Sequence, residues 1–191
     1  MEMDSGEKIR AFLALPLAEA FEVSVRPLLE KLKAQYPEIK WVQASQIHVT
    51  LHFFGAIGRR DVARISDCVL PVTQKTKPFH LLLHGMGGFP NLEQPRVIWG
   101  GMEGETEALT ELHFALEKRL KAERFECEKR PFKPHLTLGR AREGKRVGPL
   151  KNVVLGPTQL KRISEIILYQ SILTPAGPRY EKLQTFPLSS P

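Results

Sequence analysis

Imidazole gains and loses its proton near neutral pH, and this chain carries it twice in the same short setting. His48-Val49-Thr50-Leu51 recurs as His135-Leu136-Thr137-Leu138, 87 residues further on. The chain holds six His and nine Thr, for which chance gives about 0.3 His-x-Thr triplets in all, so the duplication is a signal. Residues i and i+2 of a strand share a face. Each copy therefore projects a His and a Thr to one side and turns Val49 and Leu51, or Leu136 and Leu138, toward a core. Two such strands across a shared cleft offer two imidazoles and two hydroxyls to one site. A reaction that needs one proton donor and one proton acceptor finds both there.

The elements that must position these residues follow from periodicity. Arg10 to Leu15 reads as a first strand ended by Pro16. Phe21, Val25, Leu28, Leu29 and Leu32 then mark a helix that Pro27 should kink or divide. Lys40-Trp41-Val42 reads as a short strand, and Ile47 to Phe54 as a clearer one closed by Gly55. A helix is expected over Arg59 to Val72, a strand over Phe79 to His84, and a turn at Gly85-Met86-Gly87-Gly88. Arg96 to Gly100 reads as a strand, and Glu105 to Ala122 as a helix with Leu109, Leu112, Leu116 and Leu120 on one face. His135 to Arg140, Ile163 to Ile172 and Tyr180 to Phe186 complete the strands. No low-complexity linker divides the chain, so residues 1–191 are expected to form a single unit. Strands outnumber helices and the connections are too irregular for a repeating β-α unit, which predicts an α+β fold with mainly antiparallel sheets.

Composition excludes several classes. A length of 191 residues with 42% apolar and 26% charged side chains fits a folded domain and not a disordered chain. The longest apolar run, Ala11 to Ala18, is too short to span a bilayer. The opening residues, Met1 to Glu7, are acidic and polar, unlike a secretory leader. Cys68 and Cys127 are the only cysteines, which predicts a reduced, cytoplasmic protein without a disulfide framework or Cys-based zinc site. The formal net charge is +7, and the stretch from Lys121 to Arg162 contributes twelve basic and four acidic residues, so the rest of the chain is close to neutral. Such asymmetry favours a polyanionic partner; a solubilising face is the competing reading.

Other chemistries fit less well. His48 and His52 are expected on the same strand face about 13 Å apart, too far to share an ion. His80, His84 and His113 have no acidic or Cys residue at ligand spacing, so no metal is expected, and His52, His80, His84 and His113 read as ordinary strand or helix surface. A rim contact to a substrate, or none, is the reading for His52. No Gly-x-Ser-x-Gly elbow is present, and neither Cys has a basic neighbourhood that includes a His. The glycine cluster at Gly85 lacks the Lys-Ser/Thr of a P-loop.

The segments His48-Val-Thr-Leu-His-Phe53-Phe-Gly55 and Arg130-Pro-Phe-Lys-Pro-His135-Leu-Thr-Leu-Gly-Arg140 resemble the two signatures of the 2H phosphoesterase superfamily, specifically its LigT/ThpR-like RNA 2′,3′-cyclic phosphodiesterases, or 2′-5′ RNA ligase family. The resemblance extends to Arg10-Ala-Phe12-Leu-Ala, Trp41-Val42, Phe89-Pro90, Pro95-Arg96-Val-Ile-Trp99, Leu168-Tyr169-Gln-Ser171 and Gly177-Pro-Arg-Tyr180. It implies a bilobal fold of two antiparallel sheets related by a pseudo-twofold axis around a cleft, with helices outside. The implied activity is metal-independent and cofactor-free opening of a 2′,3′-cyclic phosphate at an RNA 3′ end to a 2′-phosphate, in some members with reverse 2′-5′ ligation. The implied partner is RNA with such an end, for example tRNA halves; a monomer is the default expectation because the cleft is internal to one chain, and no membrane or obligatory protein partner is expected.

By the same resemblance, His48 is the acid that protonates the leaving 3′ oxygen and His135 the base that activates water. Thr50, Thr137 and Arg140 are placed to stabilise charge on the non-bridging oxygens. Arg140 lies on the opposite strand parity from His135, so it must reach round the strand end or follow a turn at Gly139. Phe12, Arg96 and Arg130 are candidate substrate contacts, although Phe12, like Trp41, Trp99, Phe132, Tyr169 and Tyr180, also reads as core. Arg130, Lys133, Arg142, Lys145 and Arg146 flank the second motif and can guide an RNA backbone. A small cyclic nucleotide as substrate and a non-catalytic RNA-binding module are the alternatives.

Overall fold

A computed structural model describes residues 8–142, 150, 154–175 and 177–189 of the chain. Lys145 and Arg146 lie outside the described residues. Chain order is β1 (Lys8–Pro16), α1 (Ala18–Gln35), β2 (Ile39–Trp41), β3 (His48–Gly58), α2 (Asp61–Thr73), β4 (Phe79–Phe89), β5 (Val97–Gly104), α3 (Thr106–Ala122), β6 (Leu136–Ala141), β7 (Lys161–Ile163), β8 (Glu165–Thr174) and β9 (Gly177–Pro187). The strands form a four-stranded sheet, β3-β1-β8-β9, and a five-stranded sheet, β2-β6-β5-β4-β7. Every described pairing is antiparallel. The expected α+β class and paired antiparallel sheets are therefore found, with one motif strand in each sheet.

The helices cover the sheets with the faces that their spacing gives. In α3, Leu109, Leu112, Leu116 and Leu120 are buried, and in α1, Phe21, Val25, Leu29 and Leu32. A fully buried side chain of this kind contributes about 1.5–3 kcal/mol relative to exposure. Helix α1 packs against β2 and β7, α2 against β3 and β9, and α3 against β4 and α2. One continuous apolar cluster runs through both sheets, from Leu13 and Val49 to Ile98 and Leu138.

Three local expectations are corrected. Pro27 does not divide α1: its ring and the carbonyl four residues earlier, on Val23, lie on the exposed side, where water can satisfy that carbonyl. Gly55 does not close β3, which continues to Gly58 opposite Lys8. The Gly85–Gly88 cluster is not a turn, because β4 runs through it to Phe89 with a bulge between Leu83 and Met86. The indole of Trp99 occupies the space where a Gly87 side chain would be, so this glycine marks a cross-strand ring contact.

Candidate active site

Both motif strands carry the same irregularity at the same motif position. In β3, Ala14 opposes Thr50 and Leu13 opposes His52, leaving Leu51 as an extra residue. In β6, Trp99 opposes Thr137 and Ile98 opposes Gly139, leaving Leu138 extra. A bulge of this kind shifts the alternation of side chains by one. Upstream of it, His48 and Thr50, or His135 and Thr137, share one face while Val49 and Leu136 face the core. Downstream, His52 and Gly139 turn to the core side, and Phe53 and Arg140 return to the site side.

This single feature corrects two expectations. Arg140 needs no strand end to reach the site, since the bulge restores it to the face of Thr137. Gly139 lets the strand lie close here: a side chain on it would come within 2.7 Å of Ile39 and 2.8 Å of Trp41. His52, expected beside His48, is instead 5% exposed. Its Nδ1 lies 2.5 Å from the Glu117 carboxylate of α3, its ring is 4.4 Å from that of Phe54, and Nε2 has no hydrogen-bond partner among the described residues.

The two motif imidazoles are held in matching ways. His48 Nδ1 lies 2.8 Å from the Gln46 carbonyl, and His135 Nδ1 lies 2.7 Å from the Lys133 carbonyl. A carbonyl only accepts, so each Nδ1 carries the proton and each Nε2 is the nitrogen left for chemistry. The His48 ring is boxed by Phe12 at 5.0 Å and by the edge of Tyr180 at 5.3 Å, and Phe12 also stacks on Tyr169 at 5.3 Å. His135 meets Phe89 edge-on at 5.4 Å, and Phe89 in turn contacts Trp99. Thr50 is exposed and Thr137 half-buried.

The two strands approach one another although they belong to different sheets. Arg140 provides the electrostatic link. Burial lowers the pKa of His48, the nearby Arg140 charge lowers it further, and the hydrogen bond to the Gln46 carbonyl partly opposes both. The same guanidinium acts on Tyr180, whose phenol burial nonetheless pushes up. Arg140, from the second motif, is thus brought to the imidazole of the first.

The other candidates are dispersed. Phe12 is 4% exposed and forms the floor beneath His48, at once core and site wall. Trp41 belongs to the core, and Phe132 stacks on His113 at 3.8 Å. Arg96 is exposed and lines a small cavity with Pro90, Asn91, Glu93 and Gln94. Arg130 is engaged by Glu128 at 2.7 Å on the surface, where it holds that carboxyl down at about 2. A larger cavity of about 1060 Å³, between α2 and α3, takes in no residue of either motif.

Spacing missed one constellation because its members come from three separate segments. His52, Glu117 and Cys127 offer ligand atoms within 4.8 Å of one another, and His113 Nε2 is 4.0 Å from the same carboxylate. Cys127 therefore does have a histidine near it, His52, and its thiol is pushed up to about 11 by burial and by Glu117. His80 and His84 also have acidic partners, Glu105 at the start of α3 at 3.0 Å and Glu103 of β5 at 2.6 Å. Among the described residues no helix is long and apolar enough to cross a membrane.

Comparison with known proteins gives a consistent result. The profile of the 2′-5′ RNA ligase superfamily matches residues 21–170. An RNA 2′,3′-cyclic phosphodiesterase of Methanothermobacter thermautotrophicus is 35% identical over 188 residues, which is 95% of this chain and 100% of that protein. One of Archaeoglobus fulgidus is 35% identical over 183 residues, covering 93% and 99%. Among solved structures, a Thermus thermophilus protein superposes with a TM-score of 0.78 at 29% identity, covering 94% and 98%. Escherichia coli LigT bound to 3′-AMP gives 0.72 at 28% identity, covering 95% and 99%.

Proposed function

The chain belongs to the 2′-5′ RNA ligase superfamily, and on that premise we propose that it is an RNA 2′,3′-cyclic phosphodiesterase, a hydrolase that opens the cyclic phosphate at an RNA 3′ end to a 2′-phosphate. The observation that carries this reading is the pair of imidazoles on matching bulged strands, each with Nδ1 bound to a carbonyl and Nε2 left for the substrate.

A five-membered cyclic phosphate is strained, so opening it requires water in line with the 3′ oxygen, a base behind the water and an acid at the leaving oxygen. His135 Nε2 takes the water proton as the P–O bond forms. His48 Nε2–H gives its proton to the 3′ oxygen as the other P–O bond breaks. Each well-placed acid or base is worth about 10²–10⁴ in rate. Thr50, Thr137 and Arg140 stabilise the charge gathered on the non-bridging oxygens. His48 must be protonated to act, while burial and Arg140 favour its neutral form. The bound phosphate anion opposes Arg140 and restores the proton, so the acid is armed when substrate is present.

In this reading the whole chain works as one bilobal unit and as a monomer, without metal or cofactor, in the cytoplasm, on substrates such as tRNA halves. An oligonucleotide ending in a 2′,3′-cyclic phosphate is expected to yield the 2′-phosphate in the presence of EDTA, and His48→Ala or His135→Ala to lower the rate by about 10²–10⁴. A 3′-phosphate product, loss of turnover in EDTA, or full activity in both variants overturns the mechanism.

A further inference from the structure

The bulge that returns Arg140 to the site face of β6 returns Phe53 to the site face of β3. Phe53 opposes Phe12, the floor of the His48 pocket, so both rings project from the same side of the sheet. Their surroundings differ sharply: Phe12 is 4% exposed and Phe53 52%. The Arg10 guanidinium, two residues before Phe12 on the same face, lies 5.4 Å from the Phe53 ring centre. One motif thus follows its Thr-Leu with a phosphate-binding type of residue, and the other with an uncovered aromatic ring backed by a cation.

We propose that Phe53 and Arg10 form a subsite for a base inside the RNA chain, one to three nucleotides upstream of the cyclic phosphate, with Phe53 stacking on the base and Arg10 meeting the adjoining phosphate. This subsite rests on the RNA phosphodiesterase reading above. The five residues from His48 to Phe53 span at most about 17 Å of strand. A nucleic-acid strand rises about 3.4 Å per nucleotide when stacked and stretches to roughly twice that when extended, so the ring is within reach of a base upstream of the cyclic phosphate. Every base has a π-face, so such a platform favours longer RNA without choosing its sequence. It also gives the enzyme a way to prefer RNA ends over free cyclic nucleotides.

The test compares a nucleoside 2′,3′-cyclic phosphate with a tetranucleotide ending in the same group, for the wild type, Phe53→Ala and Phe53→Trp. Phe53→Ala is expected to leave kcat/KM for the mononucleotide within about twofold and to lower it for the tetranucleotide about ten- to a hundredfold. Phe53→Trp is expected to keep the tetranucleotide rate. Equal losses on both substrates, or no loss on either, overturn the subsite. A tetranucleotide with 2-aminopurine at the upstream positions reports stacking directly, as fluorescence quenched by the wild type and not by Phe53→Ala. If the wild type opens neither substrate, the phosphodiesterase reading fails, and the fluorescence still decides the subsite: equal quenching by both proteins overturns it.

Discussion

Arg140 is the residue at which the two motifs meet, because its charge acts on an imidazole that the other motif supplies. Its effects on that imidazole and on the reaction have opposite signs. Before substrate binds, the cation disfavours the protonated His48 that the proposed mechanism needs; in the proposed reaction it stabilises the charge on the non-bridging oxygens. Arg140→Gln is therefore expected to raise the His48 pKa. The alkaline limb of kcat/KM, which marks loss of the proton from the acid, then moves to higher pH. The maximal rate falls at the same time by about 10²–10³, as for removal of one donor to a developing oxyanion. A pH–rate profile, with His48 followed by NMR titration, checks both; an unmoved limb removes Arg140 from the electrostatics of His48. Phe53, at the equivalent place in the other motif, has no charge to contribute, which is why its expected effect depends on substrate length.

Among the elements, the segment from Glu123 to Pro134 is the connection that most directly aims a catalytic candidate, since it carries the chain from α3 to His135. Side-chain contacts fix it at three points. Phe125 meets Phe54 at 5.5 Å and the Arg64 guanidinium at 4.8 Å, Cys127 lies against Glu117, and Phe132 stacks in parallel on His113 at 3.8 Å. The buried His52–Glu117 contact lies beneath this strap and ties β3 to α3, so the support of one motif rests on the strand of the other. Phe132 stands three residues before His135, so its stack on His113 is placed to position the His135 imidazole. Phe132→Ala is expected to lower kcat for a mononucleotide about ten- to a hundredfold with little change in KM, because a shift of about 1 Å at the reacting group costs that much. Phe132→Tyr should restore it. A matching rise in KM, or a loss that the tyrosine does not repair, would place the effect in general folding instead.

For the molecule as a whole, the formal charge of +7 and its concentration between Lys121 and Arg162 predict salt-dependent capture of RNA. The logarithm of kcat/KM for a tetranucleotide should fall steeply with the logarithm of salt concentration, and that for a mononucleotide much less; equal slopes would reduce the basic stretch to a solubilising surface. The sequence by itself determined the α+β class, because apolar periodicities of two and near 3.6 residues are properties of neighbouring positions. It determined the two reactive segments as well, because a duplicated His-x-Thr is visible without any fold. The destinations of His52 and Arg140 were decided only by tertiary structure. Strict alternation put His52 beside His48 and Arg140 on the wrong face; one extra leucine in each strand reverses both, and no local pattern announces a bulge that exists only in relation to the strand opposite. The cluster of His52, His113, Glu117 and Cys127 was hidden for the same reason. His113 and Glu117 are one turn apart on α3, but His52 and Cys127 join them only when α3 and the strap behind it close over β3.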